Sequence, residues 1–461
     1  MSPFTRRQFF TSGSHLLGGA ALTSLFSQSL ANAAMSHKAS GPHFAPKAKR
    51  VIYLHMVGGP SQIDLFDYKP EMMKWYDKDL PDSVRQGQRL TTMTSGQARF
   101  PIAPSKFQFS AAGQCGMMMN TELLPNLAKK ADDICWMRSL HTEAINHEPA
   151  IAAMQTGNQI GGRPCLGSWA SYGLGSTNEN LPTFVVLVAT PTNREQEQAI
   201  SSRLWSSGYL PGEHAGVSFR SKGDPILYIN NPPGVPDSVR KRTIDGLNAL
   251  NELNYQQLGD PETATRISQY EMAFRMQASV PELTDLSKEP KHILDMYGAK
   301  PGEASFANNC LLARRLIESG VRMIQVNLGN NESWDTHQAA WRNLKNYLLP
   351  PMDQAVSALI EDLDASGHFE ADVAVAHLGD PAGDAAGGDD LVALGQGLDH
   401  GLVLLLALHL GADHDEVQHH EHEHQRQHAG QGGEHVAAGG GGRGGLGVGG
   451  GNEHGGSCER D

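Results

Sequence analysis

The chain has 461 residues and a formal net charge of −13, with 39% hydrophobic residues, enough for one large α/β domain or two smaller ones. The acidic balance excludes the broad basic surface that nucleic acid requires, and no RNA- or DNA-binding motif is present. Five cysteines (Cys115, Cys135, Cys165, Cys310, Cys458) are scattered and odd in number, so their spacing specifies neither a disulfide framework nor a zinc pattern.

Thr5-Arg6-Arg7-Gln8-Phe9-Phe10 sets two arginines before an aromatic pair, a mildly apolar run follows from Leu16 to Phe26, and Ala31-Asn32-Ala33 ends it. A positive start, a short apolar stretch and a small-x-small site in that order predict a secretory signal over residues 1–33. The paired arginines name the twin-arginine translocase as partner, and the periplasm or the exterior as destination. The apolar run falls short of the ~20 residues that span a bilayer, and Leu402–Leu410 is shorter still, so no transmembrane anchor is expected. Residues 34–49 read as a polar linker.

Val51–Val57 is a near-continuous apolar run, the pattern of a buried parallel strand, and Gly58-Gly59-Pro60 stops it. Ile134–Leu140 reads as a second strand, followed by a polar turn and a short helix near Pro149–Gln155. Thr183–Ala189 and Val321–Leu328 give a third and a fourth strand. Helices are expected from Asp237 to about Leu258, from Pro261 to Gln277 and from Glu303 to Ser319. Another begins near Ala339, is interrupted at Pro350-Pro351 and resumes through Asp364, with Ala355, Leu359 and Leu363 on one face. Strands alternating with helices predict an α/β fold, a mostly parallel sheet with helices on both faces. Ligands of such folds sit beyond the carboxyl ends of the strands.

The loops there are polar. The first is Gly58-Gly59-Pro60-Ser61-Gln62-Ile63-Asp64-Leu65-Phe66-Asp67, the second His141-Thr142-Glu143-Ala144-Ile145-Asn146-His147-Glu148, and the third Asn330-Asn331-Glu332-Ser333-Trp334-Asp335-Thr336-His337. Carboxylates and imidazoles gathered from several loops at one sheet edge can assemble a hydrolytic metal site. Asp335, His337, Asp64 and His141 are the candidate metal ligands, and zinc, calcium or manganese the candidate ions. His147 and Thr142 are the candidate catalytic pair. Bland roles compete with each: a helix-capping His147, a loop-capping Asp335 with a surface His337, a turn-capping Asp64. Trp334 reads as a packing lid, and Ser61 has no neighbouring base in sequence.

The segments GGPSQIDLFDYKP, NHEPAIAAMQTGNQIGGRPCLGSWASYGLGSTNENLP, RLWSSGYLPGEHAGVSF and SWDTHQ resemble the exported bacterial family catalogued as domain-of-unknown-function family 1501, from about Arg50 to Glu370. That family is similar in turn to the alkaline phosphatase and sulfatase superfamily, which implies metal-dependent hydrolysis of phosphate or sulfate esters. Sulfatases carry Cys-x-Pro-x-Arg with Thr-Gly nine residues after the cysteine. Here His147-Glu148-Pro149-Ala150-Ile151 precedes Thr156-Gly157 at that spacing, so His147 stands at the nucleophile position and formylglycine chemistry is not expected. Asp335-Thr336-His337 resembles the superfamily's Asp…His ligand pair with a shorter spacing. Gly58-Gly59 stands where an acidic ligand usually ends the first strand.

From residue 371 onward the chain has no Lys, Ile, Met, Phe, Tyr or Trp, but holds 11 of the 21 histidines. Such a tail cannot close a core. The family's later Glu-Phe-Gly-Arg-Thr-Pro turn and Gly-Arg-Asp-His segment are missing. Only Leu378-Gly379-Asp380 and Asp399-His400-Gly401 echo them, so residues 50–370 read as an incomplete domain. The abrupt change and the loss of residues with AT-rich codons fit an out-of-frame translation. A solvated low-complexity tail and a His-rich metal-buffering tail are the alternatives. The functions in play are a metal-dependent hydrolase of anionic esters, a non-catalytic exported module that binds a glycan or a protein, and a truncated inactive product of the same fold.

Overall fold

In the computed structural model the described residues are 48–85, 96–138, 140, 142, 144, 146–189, 202–220, 223–226, 229–329, 333–336, 338–367 and 373–379. All lie within Met1–Ala407, one of two units into which the chain divides; the other is Leu408–Asp461. The expected signal peptide and the chain beyond Gly379 fall outside the described residues.

Among the described residues seven strands form: β1 Arg50–Met56, β2 Phe109–Ala112, β3 Met117–Asn120, β4 Phe184–Val188, β5 Val217–Arg220, β6 Met323–Asn327 and β7 Val373–Gly379. Five make one sheet in the order β5-β4-β6-β1-β7, and every pairing in it is parallel. β2 and β3 form a separate antiparallel hairpin. The longer helices are α1 His147–Thr156, α2 Leu166–Leu174, α3 Asp237–Leu258, α4 Pro261–Thr284, α5 Lys291–Tyr297, α6 Phe306–Glu318 and α7 Leu349–Ala365. The α/β class and the parallel sheet flanked by helices are therefore those read from the sequence.

Residues alternate between the two sheet faces. Ile52, Leu54, Met56, Val185, Leu187, Ile324 and Val326 join the main apolar core, which α6 and α7 supply with Leu311, Leu312, Leu316, Met352, Leu359 and Leu363. Tyr53, Phe184, Val186 and Met323 face the other way and pack with Cys165 and Met154. α6 begins at its Ser305 cap, whose hydroxyl accepts the Asn308 N–H at 3.0 Å. Arg314 of α6 pairs with Glu289 at 2.8 Å, Glu318 at 2.9 Å and Asp362 of α7 at 3.1 Å. Burial alone would lower this guanidinium's pKa; the hydrogen bond and charge of Glu318, with Asp362 and Glu289, outweigh it and raise it. Asp353 of α7 accepts the backbone N–H groups of Asn126 and Leu127 at 3.1 and 2.8 Å, capping the 3₁₀ turn Leu127–Asp133 from a distant helix. Its carboxyl is raised, because burial outweighs those bonds.

Several elements differ from the sequence reading. Ile134–Leu140 is not a ladder strand. Ile134 is extended, and Ile134 and Trp136 pack on the core, but no described residue of the segment enters the sheet. Apolar content put the segment in the core without giving it a strand neighbour. The chain between Ala339 and Asp364 is interrupted earlier than expected, by a π turn at Leu344–Leu348, and Pro350-Pro351 sits in the first turn of α7, where proline is tolerated. β5, the β2–β3 hairpin and β7 are additional. β7 pairs with the whole of β1 and runs nine residues past Glu370.

Candidate functional site

All five sheet strands run the same way, so their carboxyl ends share one edge, and His55, Asn327 and Val188 lie level across three of them. Central strands of a parallel sheet are ordinarily apolar on both faces. Here one face becomes polar as it approaches that edge. His55, Gln325 and Asn327 are each at most 1% exposed. Asn327 Oδ1 accepts from Gln325 Nε2 at 3.0 Å and lies 3.2 Å from His55 Nδ1. Since a carbonyl oxygen only accepts, His55 carries its proton on Nδ1 in this arrangement. The Tyr53 ring stacks on His55 with centroids 5.4 Å apart, and Gln155 Nε2 of α1 donates to the Tyr53 hydroxyl at 3.4 Å. Helix α1 is thereby seated on the polar face through its last turn.

The three loops are tied to one another above this row. Asp67 of the first pairs with Arg138, three residues before the second, at 3.4 Å. The Trp334 N–H of the third donates to the Val57 carbonyl at 3.1 Å, and Leu328 N–H to that of His55 at 3.1 Å. The second and third meet through side chains: His147 Nε2 lies 3.2 Å from Asp335 Oδ2, both about a quarter exposed. Two residues 188 positions apart, each selected from its own loop, thus form one imidazole–carboxylate pair.

His147 opens α1 directly after Asn146, which is the N-cap residue, so His147 is not the cap. Asp64 is buried and fully engaged. Its Oδ2 accepts from Ser61 Oγ at 2.8 Å and its Oδ1 from Trp341 Nε1 at 3.2 Å, while its backbone carbonyl accepts Asn120 Nδ2 at 2.7 Å. Ser61 is a partner of Asp64, and the Thr142 hydroxyl accepts the Ala144 N–H at 3.3 Å, a local turn bond. His141 and His337 lie outside the described residues. Trp334 is 2% exposed and belongs to the main core. Among the described residues no cluster of three or more His, Cys, Asp and Glu could hold a metal. Two cavities of ≈ 410 Å³ lie away from the edge, one lined by Lys288 and Arg315 and the other by Asn230 and Gln277, and neither is lined by His147, Asp335 or Asp64.

A family model described as "Protein of unknown function (DUF1501)" matches residues 48–379. The chain belongs to this family. The DUF1501 match takes in all three loops and the whole parallel sheet, ending on the last residue of β7, and includes both members of the His147–Asp335 pair. No curated protein and no solved structure matches the chain.

The sequence singled out His147 and Asp335 but not Tyr53, Gln155, Gln325 and Asn327. A signal was present: Gln325 and Asn327 are two polar residues at a spacing of two in an otherwise apolar strand, which places both on one face.

Proposed function

We propose that this DUF1501 protein is a metal-dependent hydrolase of phosphate or sulfate esters, with His147 and Asp335 at the centre of its site and a fold like that of the alkaline phosphatase and sulfatase superfamily. The observation that carries this reading is the 3.2 Å contact between His147 and Asp335, which joins two loops at the carboxyl edge of the sheet. An imidazole and a carboxylate are suitable donors for zinc or manganese and less so for calcium, which prefers oxygen throughout. His147 and Asp335 would hold the ion, with His141 and His337 close by in sequence. A bound divalent metal supplies polarisation of the ester oxygens and stabilises the leaving group. In the protein itself, Asp335 orients the His147 ring and fixes which nitrogen carries the proton. The positive end of the α1 dipole favours an anionic group beside it.

Metal content and turnover of aryl phosphate and aryl sulfate esters test this reading. The unaltered protein should hold about one or two divalent ions, as such hydrolytic sites do, and His147→Ala and Asp335→Ala should each lose metal and activity. Unchanged metal and activity in both variants would remove the assignment.

One observation favours a second reading, a non-catalytic exported module that binds a surface glycan or a protein. The nearest acid after β1, Asp64, has both oxygens occupied by Ser61 and Trp341, and Gly58-Gly59 occupies the usual position of a ligand. A metal-free protein that retains glycan binding would decide for it.

Export by the twin-arginine translocase to the periplasm or beyond belongs to the same proposal, since that route carries folded proteins and so permits metal loading first. Among the described residues no helix is long and apolar enough to cross a membrane. The chain beyond Gly379 is proposed to be an out-of-frame product; a family-like continuation in another reading frame of the gene is the expected observation.

A further inference from the structure

The cavity lined by Asn230 and Gln277 is built from four separate stretches of chain: Asn180 ahead of β4, the Ile229–Asn231 loop after β5, Asp237 at the start of α3, and the second half of α4. Its ≈ 410 Å³ suits a small molecule rather than a single water, which takes up about 30 Å³. Ordinary ligand pockets are lined mostly by apolar side chains. Here, among the described residues, only Ile229 and Phe274 of the lining are apolar, and every other lining side chain is polar. The walls are pinned to one another. Ser279 Oγ of α4 donates to the Asn180 carbonyl at 3.2 Å, and Asn230 Nδ2 to Asp224 Oδ1 at 3.1 Å.

One chain of hydrogen bonds decides what the cavity offers. The Asp237 carboxylate only accepts, so Asn231 turns its Nδ2 to Asp237 Oδ1, at 2.6 Å. Asn231 Oδ1 then faces α4, where it accepts from Gln277 Nε2 at 3.0 Å. The same nitrogen donates to the Ile229 carbonyl. Gln277 is thereby fixed in orientation, and its Oε1 is left buried with no hydrogen-bond partner. Arg275 Nε is left in the same way, while its Nη1 comes only within 3.8 Å of Glu271. One acceptor and one donor, both on residues that line the same cavity, thus remain to be met, and buried polar groups are ordinarily hydrogen-bonded.

We propose that this cavity binds a neutral polyhydroxyl ligand, a sugar unit, whose hydroxyls meet Gln277 Oε1 and the Arg275 Nε–H. A hydroxyl both donates and accepts, so one kind of group answers both needs. Charge narrows the class further. Asp237 and Arg275 are the one acid and the one base among the described residues of the lining, so an ionic ligand of either sign meets one attraction and one repulsion. An apolar ligand would strip water from the amides of Asn180, Asn230, Asn231 and Gln277 and return no hydrogen bond. Phe274 supplies an apolar wall for the C–H face of a sugar ring. The site stands apart from the His147–Asp335 pair, neither member of which lines it, and it does not rest on the hydrolase reading.

Saturation-transfer NMR and calorimetry of the full chain with glucose, mannose, N-acetylglucosamine and maltose test the proposal. At least one of these sugars should bind with a Kd of about 10 mM or below. Gln277→Met, which keeps the length of the side chain and removes its amide, should weaken that binding about tenfold. Circular dichroism establishes whether the variant is folded. Should it not fold, hydrogen exchange of the unaltered chain over residues 229–237 and 274–279 provides the second measurement, with protection that rises as sugar is added. His147→Ala should leave the sugar affinity unchanged, so that this site and the hydrolytic one fail separately. Binding of none of the sugars, an affinity indifferent to Gln277→Met, exchange indifferent to sugar, or an affinity lost in His147→Ala would each overturn the proposal. So would a preference for inorganic phosphate over every sugar, which would make the cavity an anion site built on Arg275.

Discussion

Leu54 and His55 are neighbours on one strand and equally inaccessible to water, yet they face different interiors. Leu54 points into a layer of aliphatic side chains from β4, β6, α6 and α7. His55 points into Tyr53, Gln325 and Asn327, where the Asn327 side-chain oxygen is shared by His55 Nδ1 and Gln325 Nε2 while Gln325 Oε1 is buried with no hydrogen-bond partner. The first face can be filled by any side chains of the right volume. The second cannot, because a buried amide or imidazole is tolerable only when hydrogen-bonded. The comparison shows where stability and specificity reside: an apolar face holds the sheet together, and a polar face fixes α1 and the loops at the carboxyl edge.

The most damaging way to break the comparison is on the apolar side. Leu54→Ala should destabilise the fold by about 2–5 kcal/mol, since it removes a fully buried side chain and leaves a cavity; urea denaturation measures it. On the polar side, Asn327→Ala strips the acceptor shared by His55 and Gln325, and should cost about 1–3 kcal/mol. Its effect on metal binding or turnover should nevertheless exceed that of Leu54→Ala measured well below its melting point. If the two variants lose function only in proportion to lost stability, the division of labour between the faces is wrong. At the edge itself, where the His147–Asp335 pair is about a quarter exposed, Asp335→Asn should cost about 0.5–1.5 kcal/mol, while turnover of an aryl ester falls at least tenfold.

The same contrast explains what was legible in the sequence. β1 and β4 are largely apolar runs bounded by turn residues, and β6 keeps Met, Ile and Val around its two buried amides, so burial on both faces is mostly written into composition. β5 (Val217-Ser218-Phe219-Arg220) is a four-residue edge strand that hides as a loop. The β2–β3 hairpin is spelled in Ala and Met, weak strand formers, and announced only by its tight Gly113-Gln114-Cys115-Gly116 turn. β7 lies just after the change in composition, which obscured it. His147 and Asp335 were legible singly, from loop position and motif. Their contact was not, because it depends on how far two loops rise above the sheet, and no local pattern encodes that. α3 was legible as a helix to the residue.

The smallest effect sharpens the comparison at the margin of the apolar layer. The β2–β3 hairpin contributes Ala112, Met117 and Met119 to the main core, so its turn must be held without being buried. Asp132 does this by accepting the backbone N–H groups of Gln114 and Cys115, each at 2.7 Å. Those two bonds hold its carboxyl below the usual aspartate range. A group lowered in the folded state contributes stability above its unfolded pKa, about 3.9 for an aspartate, and that contribution is lost as pH falls through the lower folded value. The melting temperature of the protein should therefore exceed that of Asp132→Asn at neutral pH, and the gap should close only under acid conditions below the ordinary carboxylate range. A gap that stays constant down to the depressed value would mean that the carboxylate's charge has no part in holding the turn. The position of Gly113 gives an independent check on the same contact. Its φ of +65° and a would-be Cβ only 2.5 Å from Asp132 Oδ1 make Gly113→Ala disruptive at any pH, so a part of its penalty should persist in acid where that of Asp132→Asn has vanished.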